Sequence, residues 1–277
     1  MMRLLPALVL LLTACPSTPP EAPETPAAPS TAEPAAAPTL SADELGEDAA
    51  KDALVPSPME MQRALQSAGI DTKLASLVPD HSFNMTATAV EHAAVRTGVI
   101  LADLLLTLQN APKDRVLSQI QALRTGMKQL DGGSDIDALL AEAQEGIETD
   151  ATSRERILAE LDRMSGAVIP ELEFNGVGRV VPLIQAGSWL EGANLVARAA
   201  KAKNKPEAAD TLLKQPEVVA YFLGYVRGKD APTTPGVAST LESSLLELKE
   251  LANLEAPLNE DNIDAIIATT GKVLSLL

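Results

Sequence analysis

From residue 55 onward, apolar residues return at every third or fourth position, in runs cut by proline, glycine and capping residues. That interval is the period of an α-helix, and the strict alternation of a half-buried strand is nowhere sustained. Ser57-Pro58-Met59-Glu60 joins an N-cap serine to a first-turn proline and a capping glutamate, and Gly69 closes that helix. A long helix is predicted over 84–110, where Val90, Ala94, Leu101, Leu105 and Leu108 recur at helical spacing. Pro112 opens the next helix and Gly132-Gly133 ends it. Ser134 is expected to cap a helix reaching about Thr149, and Thr152 with Glu155 forms a second capping box for 153–173.

Residues 176–202 read as helix despite Gly178, Pro182, Gly187 and Gly192. Each interior glycine costs about 1 kcal/mol against alanine, and Pro182 is expected to kink the helix. Short helices follow at 206–214 and 216–228, each with a proline near its start. Leu241, Leu245, Leu248 and Leu251 share one face of a helix over 236–255. Asn259 caps the last helix, Leu258 is placed to staple onto Ile263, and Ile263, Ile267, Thr270, Leu274 and Leu277 form its stripe. The expectation is an all-α domain over 55–277, a globular bundle or array of about nine or ten helices. No period of about 20–50 residues repeats, which argues against a solenoid.

The first 54 residues follow a different pattern. Met1-Met2-Arg3 is a short positive start, and the nine residues from Leu4 to Leu12 are apolar. Such a run suits a signal peptide and falls well short of the roughly 20 residues that span a bilayer. Residues 16–39 hold Pro16, Pro19, Pro20, Pro23, Pro26, Pro29, Pro34 and Pro38 among Ala, Ser, Thr and Glu, with no large apolar side chain before Leu40. Nothing there repays the entropy of ordering, so a flexible Pro/Ala-rich tether is expected over 15–54, reaching up to about 75 Å at roughly 3.1 Å per residue. Residues 41–54 could add a loose acidic helical turn.

Leu12-Thr13-Ala14-Cys15 resembles the lipobox of bacterial lipoproteins. The resemblance implies that residues 1–14 are a signal peptide removed by a dedicated peptidase. It also implies that the thiol of Cys15 carries a diacylglycerol, and that the new amino group is often acylated. Two or three acyl chains suffice for stable anchoring. The expected location is the bacterial cell envelope, with the membrane as partner through the lipid on Cys15. Pro16 follows the cysteine instead of Asp, so the inner-membrane retention signal of enteric bacteria is absent; this favours the outer membrane where the organism has one. The other reading of this segment is an ordinary secretory signal with an incidental cysteine.

Composition narrows the body further. Hydrophobic residues make up 46% of the chain but aromatic residues only 2%, so the core must be built from Leu, Ile, Val, Ala and Met. A net charge of −16, without basic patches or stacking aromatics, argues against nucleic acid and against a polybasic grip on anionic lipid. Cys15 is the only cysteine, which removes internal disulfides and Cys-built metal sites. His81 and His92 are too few to suggest a zinc centre. No metal and no cofactor is expected.

Catalytic patterns are missing as well. There is no Gly-x-Ser-x-Gly, and Gly176-Val177-Gly178 lacks the strand and third glycine of a phosphate-cradling loop. Two places carry candidate chemistry. Asp103 interrupts an apolar run, in line with His92, Arg96, Thr107 and Asn110; it is either part of a solvated or salt-bridged stripe or a buried acid with a raised pKa. In Gly187-Ser188-Trp189-Leu190-Glu191-Gly192, two glycines flank the sole tryptophan. Close helix–helix contact with Trp189 as core filler explains them; so does a ligand pocket beside Pro182, with Trp189 as wall and Glu191 as polar handle.

Pro56-Ser57-Pro58-Met59-Glu60, then Gly98-Val99-Ile100-Leu101-Ala102-Asp103-Leu104, then the Trp189 segment also resemble a group of uncharacterised helical proteins, many of them lipoproteins, from Bacteroidetes-type bacteria. The likeness covers about 55–200. It implies an all-α body and interest in Asp103, Trp189 and Glu191, and brings no activity with it. The chain departs from the group at Ile100, Leu101 and Ser188. Three functions follow as expectations: a non-enzymatic envelope scaffold or protein-binding module, a small-molecule binder with its pocket near Trp189, or an enzyme that would need His92, Asp103 and Glu191 around one cavity.

Overall fold

Two helices that are apolar on nearly every side cannot lie on a surface, and the rest of the bundle is arranged to cover them. The computed structural model describes residues 55–70, 73–79, 85 and 89–274, which belong to one unit of the chain. The expected signal peptide 1–14, the lipidated Cys15, the tether 15–54 and His81 lie outside the described residues. Ten α-helices and three short 3-10 turns are found among the described residues, with no strand. They are α1 (Pro58–Ser67), α2 (Val90–Thr107), α3 (Lys113–Gln129), α4 (Ser134–Glu148), α5 (Arg154–Phe174), α6 (Val181–Ala202), α7 (Asp210–Leu213), α8 (Pro216–Arg227), α9 (Val237–Ala252) and α10 (Glu260–Leu274). None of these helices is long and apolar enough to cross a membrane.

The central pair is α2 and α6, which share the most extensive contact in the structure. Every residue of α2 from Ala93 to Thr107 is buried, and so is most of α6. Pairing runs from Glu91 with Arg179, through Gly98 with Ile184 and Ser188, to Asp103 with Glu191, so the two helices point the same way. α3 packs on α2, α4 on α3 and α5 on α4, while α10 and α1 cover α6 and α9 bridges α8 to α10.

Backbone meets backbone where α2 and α6 cross. A methyl group on Gly98 would collide with the Ile184 carbonyl, and one on Gly187 with the Val95 carbonyl. Gly192 leaves room for the tip of the Met61 side chain of α1. These glycines are poor helix formers retained because a side chain would hold the helices apart.

Local signals decide the outer helices. Ser57 and Glu60 form the expected reciprocal cap, with the Ser57 amide donating to Glu60 at 2.8 Å and the Glu60 amide to Ser57 Oγ at 3.2 Å. Asn259 and Asn262 cap α10 in the same reciprocal way. Elsewhere the expected caps move by one residue. Gly133, at φ +83°, precedes α4, and Ser134 is already helical, its hydroxyl turned to Asp135. Ser153, not Thr152, caps α5 by accepting from the Arg156 amide. Pro182 sits in the first turn of α6, after a 3-10 turn at Gly178–Val180, and so starts the helix instead of kinking it. The buried face of α10 runs through Ile263, Ile266, Thr270 and Val273; Ile267 and Leu274 sit at its edge, and Leu277 lies outside the described residues. Val90, expected on the core face, is 42% exposed at the first turn of α2.

Alanine at Gly98 or Gly187 must push two backbones apart, an overpacking cost of at least about 2 kcal/mol. Gly166 of α5 has open space around it. Urea unfolding is expected to show a large loss for Gly98→Ala and Gly187→Ala, and no loss or a small gain for Gly166→Ala.

Candidate functional site

The crossing of α2 and α6 brings Asp103 and Glu191 together in the interior. Both side chains are fully buried. Each lies within electrostatic reach of the other, so two acids act on one another inside the core. Burial is the main force pushing Glu191 well above the usual carboxylate range; the Asp103 charge adds to it, and Arg198 pulls the other way. The guanidinium Nε of Arg198 donates to Asn194, whose amide donates in turn to Thr270 Oγ1 and the Ile267 carbonyl on α10. A polar file therefore extends from the acid pair along α6 toward Arg198, at the edge of the core.

Trp189 faces the other way. Two residues from Glu191 is about 200° around a helix, and its ring meets Phe222 of α8 at 5.8 Å between centroids, with Tyr221 tilted against Phe222 at 5.1 Å. Trp189 is buried, and its indole N–H donates to Gln215 Oε1 at 3.1 Å. The Tyr221 hydroxyl donates to Gln185 Oε1 at 3.1 Å, and that of Tyr225 to the Arg179 carbonyl at 3.0 Å. In a chain with so few aromatics, four of them gather on one flank of α6.

The solvated stripe expected through Asp103 is not what forms: Arg96, Asp103 and Thr107 are buried, His92 is half-buried and Asn110 alone is exposed. His92 sits eleven residues before Asp103 on α2, about 16 Å along the axis at 1.5 Å per residue, so the three-way set an enzyme would need does not assemble. Gly187 and Gly192 serve close packing. Trp189 and Glu191 lie on opposite flanks of α6 and do not line one pocket. A cleft of about 440 Å³ lies elsewhere, between α4 and α5, with Leu139, Ala143 and Ile157 on its apolar side and Glu142, Arg156 and Arg163 at its rim. Among the described residues no group of three or more His, Cys, Asp or Glu is placed to hold a metal ion.

Neither a family model, a curated protein nor a solved structure matches this chain. What the α6 region does is therefore read from its own chemistry.

A second buried acid had no signal in the sequence. Glu91, in the first turn of α2, is 3% exposed. Its carboxylate accepts from the Thr233 amide at 2.9 Å, the Thr233 hydroxyl at 3.2 Å and the Thr234 amide at 2.6 Å, and pairs with Arg179 at 3.3 Å. Burial raises its pKa, but the hydrogen bonds from Thr233 and Thr234 outweigh it and bring the carboxyl down to about 2. Its partners come from a loop more than 140 residues away, which no local pattern announces. A depressed acid stabilises the fold above its unfolded pKa near 4.5, and that contribution is lost as pH falls through about 2. At 1.36 kcal/mol per unit it amounts to about 3 kcal/mol. Urea unfolding is expected to show Glu91→Gln less stable than wild type by up to that amount at neutral pH, with the two converging toward pH 2.

Proposed function

We propose that the chain is a lipid-anchored protein of the bacterial cell envelope whose helical body binds a small molecule on the aromatic flank of α6, beside Trp189. The anchoring rests on Leu12-Thr13-Ala14-Cys15, the apolar run before it and the proline-rich stretch after it. The binding rests on one observation: Trp189, Tyr221 and Phe222 gather between α6 and α8 with the amides of Gln185 and Gln215 at their polar tips. Flat apolar walls with a few fixed amide groups are the usual make-up of a small-molecule site. Tyr221 and Gln185 are only half-buried, so a ligand approaching this cluster would meet them first. No catalytic role is assigned to the chain.

The scaffold reading has one feature in its favour. Phe174, at the C-terminal end of α5, is 88% exposed, a lone apolar knob of the kind that seats in a partner protein. In-cell cross-linking that captures an envelope protein in wild type and loses it in Phe174→Ala would favour it over small-molecule binding.

For the anchor, cells fed a fatty-acid analogue should label the wild-type chain and leave Cys15→Ser unlabelled and released from membranes or unprocessed. An unmodified Cys15 thiol in mass spectrometry would defeat it. For the site, Trp189 emission should be quenched or shifted saturably by the small-molecule fraction of the envelope, and more weakly in Gln185→Ala. Emission that no fraction moves, in folded protein, counts against the reading.

A further inference from the structure

A lone exposed phenylalanine is ordinary, and so is a shallow cleft. On α5 the two occur on one face of one helix. Phe174, 88% exposed, follows Arg156 by eighteen residues, which is five full turns; Arg163 and Pro170 stand between them on the same stripe, and all four are exposed. Arg156 and Arg163 also rim the cleft between α4 and α5, whose apolar side is Leu139, Ala143 and Ile157. One end of the stripe therefore carries an apolar knob and the other an apolar hole. We propose that this face pairs two copies of the chain, with α5 antiparallel to α5 of the second copy and each Phe174 seated in the other's α4–α5 cleft. The pairing goes beyond the small-molecule reading and does not rest on it.

Spacing along α5 supplies the register. In an antiparallel pair centred at Ser165, Phe174 of one copy comes level with Arg156 of the other, and Glu160 with Pro170. The knob then lies about 13.5 Å from the centre in one direction and the cleft as far in the other, at 1.5 Å per residue. α5 runs unbroken through Pro170 to Phe174, so the face is continuous over that length. A contact in which residue i meets j and j meets i is self-complementary; it closes at two copies and leaves no knob or hole to start a filament. Beside the stripe, Ala159 and Gly166 are small and exposed, and Gly166 has open space around it, so two α5 helices can approach there without displacing a side chain.

Composition and charge fit the same occupant. α5 has three arginines and no lysine, and protein interfaces are enriched in arginine and aromatic residues and depleted in lysine. The last turn of α5 carries Glu171 and Glu173 with Phe174, and no base. At the cleft mouth Glu142 and Glu160 stand with Arg156 and Arg163, and Arg163 donates to Glu160 at 2.7 Å. Arg156 is the cation that comes level with the incoming Glu171 and Glu173. Those same acids make an anionic lipid surface the poorer occupant for Phe174. The contact is one helix face with a knob at each end, at the small end of the interface range, and the net charge of −16 opposes it at long range, so the pair is weak and concentration-dependent.

The test uses the full chain carrying Cys15→Ser, which leaves it without a cysteine. Sedimentation equilibrium should show monomer passing to dimer, and to nothing larger, as concentration rises. Phe174→Ser should weaken the dimer by at least about thirtyfold, since two buried anchors are lost together. Arg156→Glu should weaken it as well, and both variants should keep the parent unfolding curve because the replaced side chains are exposed. Single cysteines then test the register. Arg163→Cys, two residues from the centre, should be joined to its mate by a short bifunctional thiol reagent; Lys249→Cys, exposed on α9, should not.

A chain still monomeric at about 1 mM overturns the pairing. So does a dimer that survives Phe174→Ser, or one in which Arg163→Cys is joined no more than Lys249→Cys. A monomer whose Phe174 is needed instead to capture another envelope protein, or to co-sediment with anionic phospholipid vesicles, gives the knob to that partner and overturns the pairing too. No ligand and no property of Trp189 enters these measurements, so they are separate from the outcome for small-molecule binding.

Discussion

The contact of two backbones at Gly98 and Gly187 is the constraint from which the rest of the bundle follows. Helices this close bury both surfaces almost completely, so neither can tolerate a solvent face. α2 and α6 meet that demand mainly with Leu, Ile, Val and Ala, and with a few buried polar groups such as Asp103, Glu191 and Asn194. The remaining helices are then free to be amphipathic, and they are: α3, α4 and α10 each present one apolar stripe inward and a charged face outward. The sign of those outer faces differs: α4 carries five acids and no base, whereas α3 carries four bases and one acid.

The same central contact gives two acids two opposite fates. Glu91 lies at the N-terminal end of α2, where backbone amides of the 233–234 loop can reach it, and it stays charged although buried. Glu191 lies deeper, has another acid for its neighbour, and is driven toward its protonated form. Burial acts the same way on both. The difference is the supply of donors, which is rich at a loop and poor between two helix barrels whose amides are already used.

Periodicity made the helices legible, because a core of aliphatic residues has to repeat with the turn that presents it. Ser57 and Asn259 were readable as caps for the same local reason. At 133–134 and 152–153 neighbouring residues compete for the cap, and backbone geometry settles the choice; glycine with positive φ won over Ser134, and Ser153 over Thr152. Pro182 was misplaced because a 3-10 turn precedes it and shortens the helix at its start. Asp103 and Glu191 could be singled out one by one, as acids in apolar surroundings, but their pairing could not, since 88 residues separate them and no pattern along the chain encodes which helices touch. Trp189 was visible as a singular residue; its direction, toward α8 and away from Glu191, belongs to tertiary packing.

The common direction of α2 and α6 has a consequence for how the chain reaches its native state. Antiparallel neighbours can zip from a short turn, but same-direction neighbours must be joined through an intervening excursion, here α3, α4 and α5. The Glu91–Arg179 pair, for instance, closes a loop of 88 residues. The entropy of that closure has to be met before the central contact returns any stabilisation, so high contact order rather than weak helices should set the pace of folding. A helical protein of this design assembles late at its middle, and its most buried surfaces are the last to leave water.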